Sequence, residues 1–257
     1  MTPFLEYRDL HKSFGTNRVL DGLNLEIRKG ETMVVLGASG TGKSVLLKHT
    51  IGLLKPDRGE VRVEGTDIVP FSESELQAVR EKIAIVFQAG ALFDSLTVYE
   101  NVAYPLHEHR DLPEEAVRAR VRDTLGLVGL YGVEEKMPVD LSGGMRKRVA
   151  LARAIVLEPE AILYDEPTTG LDPIIANKIN DLIMSMQKVL RVTSIVVTHD
   201  LVSAFKVGDR IALIHEGRIA FVGTRDEVRR AADPTLLEFT TGGERGGGYE
   251  RIIQHAG

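Results

Sequence analysis

Apolar positions recur with two different periods along this chain, and the change of period marks its parts. Over residues 4–10 and 23–27 apolar and polar side chains alternate, and the same period returns over Glu60–Gly65. These segments are expected to be half-buried strands of a small antiparallel sheet. Thr32–Leu36 is instead a continuous apolar run that ends in a glycine-rich turn. That pattern suits a buried parallel strand feeding a helix, expected over Lys43–Leu53. Four more short apolar runs follow, at Ile83–Gln88, Ala161–Asp165, Ser194–Thr198 and Arg210–His215, most of them separated by helical patterns. The core is therefore expected to be α/β with a mainly parallel sheet. Between about 92 and 157 no strand pattern occurs; a helix opens at Pro113-Glu114-Glu115 and another covers Gly143–Leu157, so this stretch reads as a helical insertion. The glycine-rich run Gly242–Gly248 places a flexible tail over 241–257, leaving 1–240 as the folded unit.

Composition narrows the chemistry. The 257 residues contain no cysteine, which removes disulfides, thiolate nucleophiles and Cys-ligated metal centres and fits a reducing compartment. Against 37 acidic residues stand 32 basic ones, a net charge of −5, where a dedicated nucleic-acid binder would show a basic domain. No nucleic-acid partner is expected. The first fifteen residues mix acids and bases where a secretory signal needs an apolar run, so export by that route is not expected. The apolar runs fall far short of the roughly 20 residues of a spanning helix, and any membrane role would be peripheral.

The strongest chemical signal is Gly37-Ala38-Ser39-Gly40-Thr41-Gly42-Lys43-Ser44, a complete G-x-x-x-x-G-K-[ST] between an expected strand and an expected helix. Such glycines let the backbone wrap phosphates, the loop amides and helix start attract anions, Lys43 supplies a cation, and Ser44 can ligate Mg²⁺. The buried-strand pattern Ala161–Asp165 ends in Asp165-Glu166, where the first carboxylate suits Mg²⁺ and the second is free to orient or deprotonate water. Leu141-Ser142-Gly143-Gly144-Met145 is a second helix start of anion-binding type, capped by Ser142. The basic residues behind it, Arg146, Lys147, Arg148 and Arg153, read as a solvated face. Phe87-Gln88, Leu171-Asp172 and Thr198-His199-Asp200 complete the set.

Taken in order, these motifs resemble the ATP-binding cassette ATPases over about residues 4–235. The resemblance implies a P-loop NTPase core, a small antiparallel β lobe and a helical subdomain at about 92–157. It also implies ATP and Mg²⁺ as cofactors and two cassettes arranged head to tail in a homodimer. Lys43, Ser44 and the rest of the 37–45 segment through Val45 would bind nucleotide in cis. Leu141–Met145 would act in trans, with Ser142, Gly143 and Gly144 facing the other protomer's γ-phosphate. Asp165 would be the metal-side acid, with Ser44 and Gln88 also near the ion; Glu166 the general base; His199 a γ-phosphate contact; Leu171 and Asp172 the loop at the dimer contact. Phe14 occupies the adenine-stacking position, with a strand-end core residue as the other reading.

Within that family, Phe87–Phe93 followed by Glu100–Leu106 is similar to the ATPases of bacterial Mla/Mce-type lipid transporters, as is Met145 in the signature. Ala89 departs from the serine common there. Asp233-Pro234 with Phe239 resembles the start of that subgroup's C-terminal extension. The narrower likeness implies a separate integral-membrane permease docked on residues 88–107, with an Mce-domain protein and a small STAS-type regulatory subunit as further partners. The location implied is the cytoplasmic face of the inner membrane. A cassette for another cargo, such as an amino acid or metal ion, and a soluble non-transport cassette are the other readings.

Overall fold

The computed structural model describes residues 3–231 together with Leu236 and Phe239. The chain opens with two long antiparallel strands, β1 (Leu5–Phe14) and β2 (Asn17–Ile27), then enters β3 (Thr32–Leu36) and α1 (Lys43–Thr50). Next come β4 (Arg58–Val63), the short β5 (Thr66–Asp67), α2 (Glu73–Lys82) and β6 (Ile83–Val86). Helices α3 (Val98–His109), α4 (Glu114–Leu127) and α5 (Gly143–Ile155) follow in succession. The remainder alternates: β7 (Ala161–Asp165), α6 (Pro173–Leu190), β8 (Thr193–Thr198), α7 (Leu201–Val207), β9 (Arg210–His215), β10 (Arg218–Thr224) and α8 (Arg225–Arg230).

Two sheets result. The lobe is antiparallel in the order β2-β1-β4-β5. The core sheet runs β10-β9-β3-β8-β7-β6, parallel throughout except for the edge strand β10. Side chains of a strand alternate between its faces, and β3 uses both. Met33 and Val35 pack toward the lobe with Leu46 and Leu47 of α1, while Val34 and Leu36 join the helices on the other side. Burial on both faces is why β3, β7 and β8 read as unbroken apolar runs.

The expected helical stretch at 92–157 contains α3, α4, a 3₁₀ turn at Pro138–Asp140 and α5, with no strand among its residues. It has no separate core. Val102, Val121 and Leu125 belong to the same apolar cluster as Ile162 and Val196 of the central sheet, and the buried face of α5 (Val149, Ala152, Ile155) connects them. Helix α3 starts with a reciprocal Thr97–Glu100 capping box, and its buried Asn101 donates to the carbonyls of Phe93, Leu96 and Thr97 while accepting from Phe93 N–H. One amide side chain thus ties down the loop before α3. The expected tail at 241–257, and Asp233 and Pro234, lie outside the described residues.

The sheet order decides where chemistry occurs. Strands β3, β8 and β7 are consecutive neighbours, so their C-terminal ends bring Gly37–Lys43, His199 and Asp165-Glu166 side by side. Gln88 follows β6, the strand beside β7.

Candidate active site

The turn from β3 into α1 is shaped by what it cannot hold. A Cβ on Gly37 would lie 2.5 Å from Ile214 Cγ2 and 2.9 Å from the Ile214 carbonyl oxygen. Gly42 sits at φ +98°, in the left-handed region, and caps α1 without any side-chain hydrogen bond. The first-turn amides of α1 are consequently left open to an external acceptor. Lys43 is nearly buried; its Nζ donates to the carbonyls of Gly37 (2.8 Å) and Ala38 (2.9 Å) and stands 3.4 Å from Glu166 Oε1. Ser44 Oγ donates to Asp165 Oδ1 at 2.8 Å.

The acid pair ends β7 in a conformation that no sequence pattern announces. Glu166 has φ +48°, left-handed for a residue with a Cβ, while its N–H still donates to Val197 O on β8 at 3.0 Å. Its Oε2 accepts from Thr169 Oγ1 at 3.1 Å and is 2.9 Å from His199 Nδ1. With Nδ1 engaged by the carboxylate, the ring's Nε2 edge remains open to a ligand. Burial pushes the Asp165 carboxyl above the usual carboxylate range; the Ser44 hydroxyl draws it back, and the Glu166 charge adds to the rise.

An open cleft of about 1800 Å³ lies over these groups, walled by Phe14, Lys43, Gln88, Glu166, His199 and Phe239 among others. Phe14, half exposed at the end of β1, is there rather than in the core. Val45 also lines the cleft and packs against the lobe core. Among the described residues no group of three or more His, Cys, Asp or Glu side chains could hold a metal. The Ser44 hydroxyl and Asp165 carboxylate are hard oxygen donors that fit Mg²⁺ carried in on substrate phosphates, which keeps several waters, and do not form a cage for a resident ion.

The second helix start is built differently. Ser142 caps α5, its Oγ accepting from Met145 N–H at 3.3 Å. Leu141 is buried and Met145 packs against the core, so those two anchor the motif while Ser142, Gly143 and Gly144 reach the surface. None of the five lines the cleft. Their neighbours are α6 and the loop before it: a Cβ on Gly143 would meet Leu171 at 3.5 Å, and one on Gly144 would meet Ile175 Cγ2 at 2.8 Å. Asp172 caps α6 through the amides of Ile174 and Ile175, both at 3.0 Å.

One expectation is corrected. The basic run in α5 is not a free solvated face: Arg146 stays exposed, the other three are half-buried, and each of the four cations is taken up by a backbone carbonyl. Arg146 donates to Leu141 O, Lys147 to Gln88 O, Arg148 to Val128 O and Arg153 to Gly90 O. Burial lowers the Lys147 pKa, and the charges of Asp165 and Glu166 oppose that fall. Sequence reasoning also missed Thr169 and Asn101. It missed a buried trio below the cleft too, where Asn180 Nδ2 donates to Ser203 Oγ at 2.8 Å and Thr168 Oγ1 lies 3.3 Å from the same hydroxyl.

Comparison with known proteins agrees with this fold. The ABC transporter family profile matches residues 20–169. A probable ribonucleotide transport ATP-binding protein, Mkl of Mycobacterium leprae, is 43% identical over 238 residues, covering 93% of this chain and 69% of the relative. The intermembrane phospholipid transport system ATP-binding protein MlaF of Haemophilus influenzae is 40% identical, covering 93% of this chain and 90% of the relative. Among solved structures, the ATP-binding cassette MJ0796, a dimer in a post-hydrolysis state with ADP and phosphate, superposes with a TM-score of 0.79 at 33% identity, covering 86% of this chain and 98% of that one.

Proposed function

The chain belongs to the ABC transporter family, and we propose that it is the ATP-hydrolysing subunit of a lipid transporter, working as a head-to-tail homodimer through a separate membrane permease. ATP hydrolysis itself follows from family membership. The observation that carries the site assignment is the convergence of Lys43, the Ser44–Asp165 pair and the Glu166–His199 pair on one cleft. In the proposed reaction Lys43 leaves its own loop carbonyls for the β- and γ-phosphates. Ser44, Asp165 and Gln88 would hold Mg²⁺, which would neutralise charge on the phosphate oxygens. Glu166 accepts a proton from water attacking the γ-phosphorus, the bond to the β-phosphate oxygen breaks, and ADP and phosphate result. His199, oriented by Glu166, presents its free Nε2 edge to the γ-phosphate. Ser142, Gly143 and Gly144 face the γ-phosphate bound by the partner protomer.

Lipid as cargo is supported by the 40% identity to MlaF, with Mkl as the relative that favours ribonucleotide instead. No helix among the described residues is long and apolar enough to cross a membrane, and the proposed translocation path is the separate permease. The 88–107 surface is the proposed docking site for it: Phe93 and Tyr104 are exposed with ring centroids 5.0 Å apart, and the Arg153 guanidinium lies 5.6 Å from the Phe93 centroid. Such an assembly sits on the cytoplasmic face of the inner membrane, and an Mce-domain protein and a STAS-type subunit are its proposed further partners. Reconstitution with the permease encoded beside this chain tests the cargo. ATP-dependent movement of labelled phospholipid is expected; ATP-dependent ribonucleotide uptake without lipid movement would overturn the lipid reading and leave the ATPase intact.

A further inference from the structure

The aromatic end of β1 is held by a residue outside every motif described so far. Beyond the pairing of His11 with Arg58, β4 no longer accompanies the outer edge of β1, and the pairing with β2 slips between Lys12 and Ser13. A strand edge released in this way leaves backbone donors to be satisfied. Asp57, in the turn between α1 and β4, satisfies them: its Oδ2 accepts from Ser13 N–H at 2.7 Å and its Oδ1 accepts from Lys12 Nζ at 2.8 Å. The contact is locked on both chains. Lys12 Nζ also donates to Lys55 O at 2.9 Å, and Asp57 N–H donates to His11 O at 2.9 Å. The Lys12 ammonium also lies 5.7 Å from the Phe14 ring centroid. The fixed point therefore immediately precedes the exposed ring on the cleft wall.

We propose that Asp57 is a positioning residue for the base of the nucleotide: it clamps Lys12 and Ser13 so that Phe14 presents its ring to a purine while the phosphates lie on Lys43. This rests on the reading of Phe14 as the adenine platform. Because residues 55–57 lie in the short turn between α1 and β4, the clamp connects the platform to the C-terminal side of the same helix whose N-terminus faces the phosphates, restraining the distance between the two halves of the ligand. The Lys12 ammonium and the Ser13 amide hold the Asp57 carboxyl below its ordinary range, so the clamp stays charged at neutral pH.

The test separates base from phosphate by comparing ATP with inorganic tripolyphosphate as a competitive inhibitor of the full-length protein's ATPase. Asp57→Ala is expected to raise KM for ATP about fivefold, with kcat and the tripolyphosphate inhibition constant unchanged; stacking on an aromatic ring is lost only in part when its mount loosens. Asp57→Asn, which keeps an acceptor for Ser13 N–H and loses the ion pair, is expected to fall between the two. Equal weakening of ATP and tripolyphosphate, or an unchanged KM for ATP in both variants, overturns the clamp. Phe14→Ala separates the two inferences. If it raises KM for ATP about tenfold while the Asp57 variants do not, only the clamp fails; if it leaves KM unchanged, the platform reading fails with it.

Discussion

Helices α1 and α5 both begin at glycine-rich turns, yet only one of these starts is surrounded by reactive groups. At α1 the cap is Gly42, the first amides are free, and Lys43, Asp165, Glu166 and His199 stand within a few bonds of one another. At α5 the cap is Ser142, and its hydroxyl accepts from one of the first-turn amides of its own helix. No residue from Leu141 to Met145 lines the cleft, and the nearest neighbours of Gly143 and Gly144 are the apolar Leu171 and Ile175. One start has ligand chemistry on all sides; the other has a donor array with no anionic group beside it among the described residues. A surface of that kind gains a purpose when a second copy brings its α1 opposite, and two-fold symmetry then supplies two such sites at once.

The sharpest way to test the α1 side is Glu166→Gln. Loss of the carboxylate that pairs with His199 is expected to lower kcat by about 10²–10⁴-fold, the usual scale of general-base assistance, with ATP affinity retained. Steady-state ATPase assays with nucleotide-binding isotherms check both halves. Parental turnover would remove Glu166 from its role.

The relation between the two helix starts is tested by mixing. Lys43→Ala disables the α1 side and Ser142→Arg obstructs the α5 side, so each protein alone is expected to be inactive. A mixed dimer recovers one intact site, and equal mixing returns about a quarter of parental sites if subunits exchange at random. No recovery in the ATPase assay would mean that α1 and α5 of one chain do not serve separate sites.

The smallest effect contrasts the glycines themselves. A methyl on Gly37 meets the Ile214 backbone carbonyl at 2.9 Å and Thr41 Oγ1 at 2.7 Å, whereas one on Gly144 meets only the Ile175 Cγ2 methyl, at 2.8 Å. Gly37→Ala is expected to cost about 1–3 kcal/mol of stability as an overpacked site with backbone in the way. Gly144→Ala is expected to cost less, since no backbone atom stands in its way and only one methyl of Ile175 must give. Urea denaturation of both variants measures the difference, and an equal or reversed order would contradict it.

Much of the α1 side was legible from residues in a row. Gly37–Ser44 follows an apolar run, and Asp165-Glu166 ends another; local spacing contains both strand and chemistry. The unreadable parts depend on partners far apart in sequence. Lys147 meets Gln88 and Arg153 meets Gly90, fifty-nine and sixty-three positions away, so a run of four cations looked like a charged surface. Strand β10 went unrecognised because the apolar Ala220 and Val222 occupy its exposed positions, so residue type does not alternate although burial does. Strands β1 and β2 run further than their alternation does, since bulges at Tyr7–His11 and Lys12–Ser13 break the period while the ladder continues. The left-handed turn at Glu166 has no signal in residue type at all.

The carbonyl bonds of α5 have a mechanical meaning. Thirteen residues make a rod of about 20 Å, and Lys147 and Arg153 fasten it to the 88–90 loop at two points about 9 Å apart along its axis. Two fastenings transmit torque where one would act as a pivot. A tilt of ~5° imposed at the Ser142 end therefore carries Gln88 and Gly90 with it as a single body, displacing the far end of the rod by ~1.7 Å relative to the near one. Force applied at one tip of α5 is thus delivered to the loop that borders the nucleotide cleft and to the Phe93–Tyr104 surface beyond it, with the lever arm set by helix length alone.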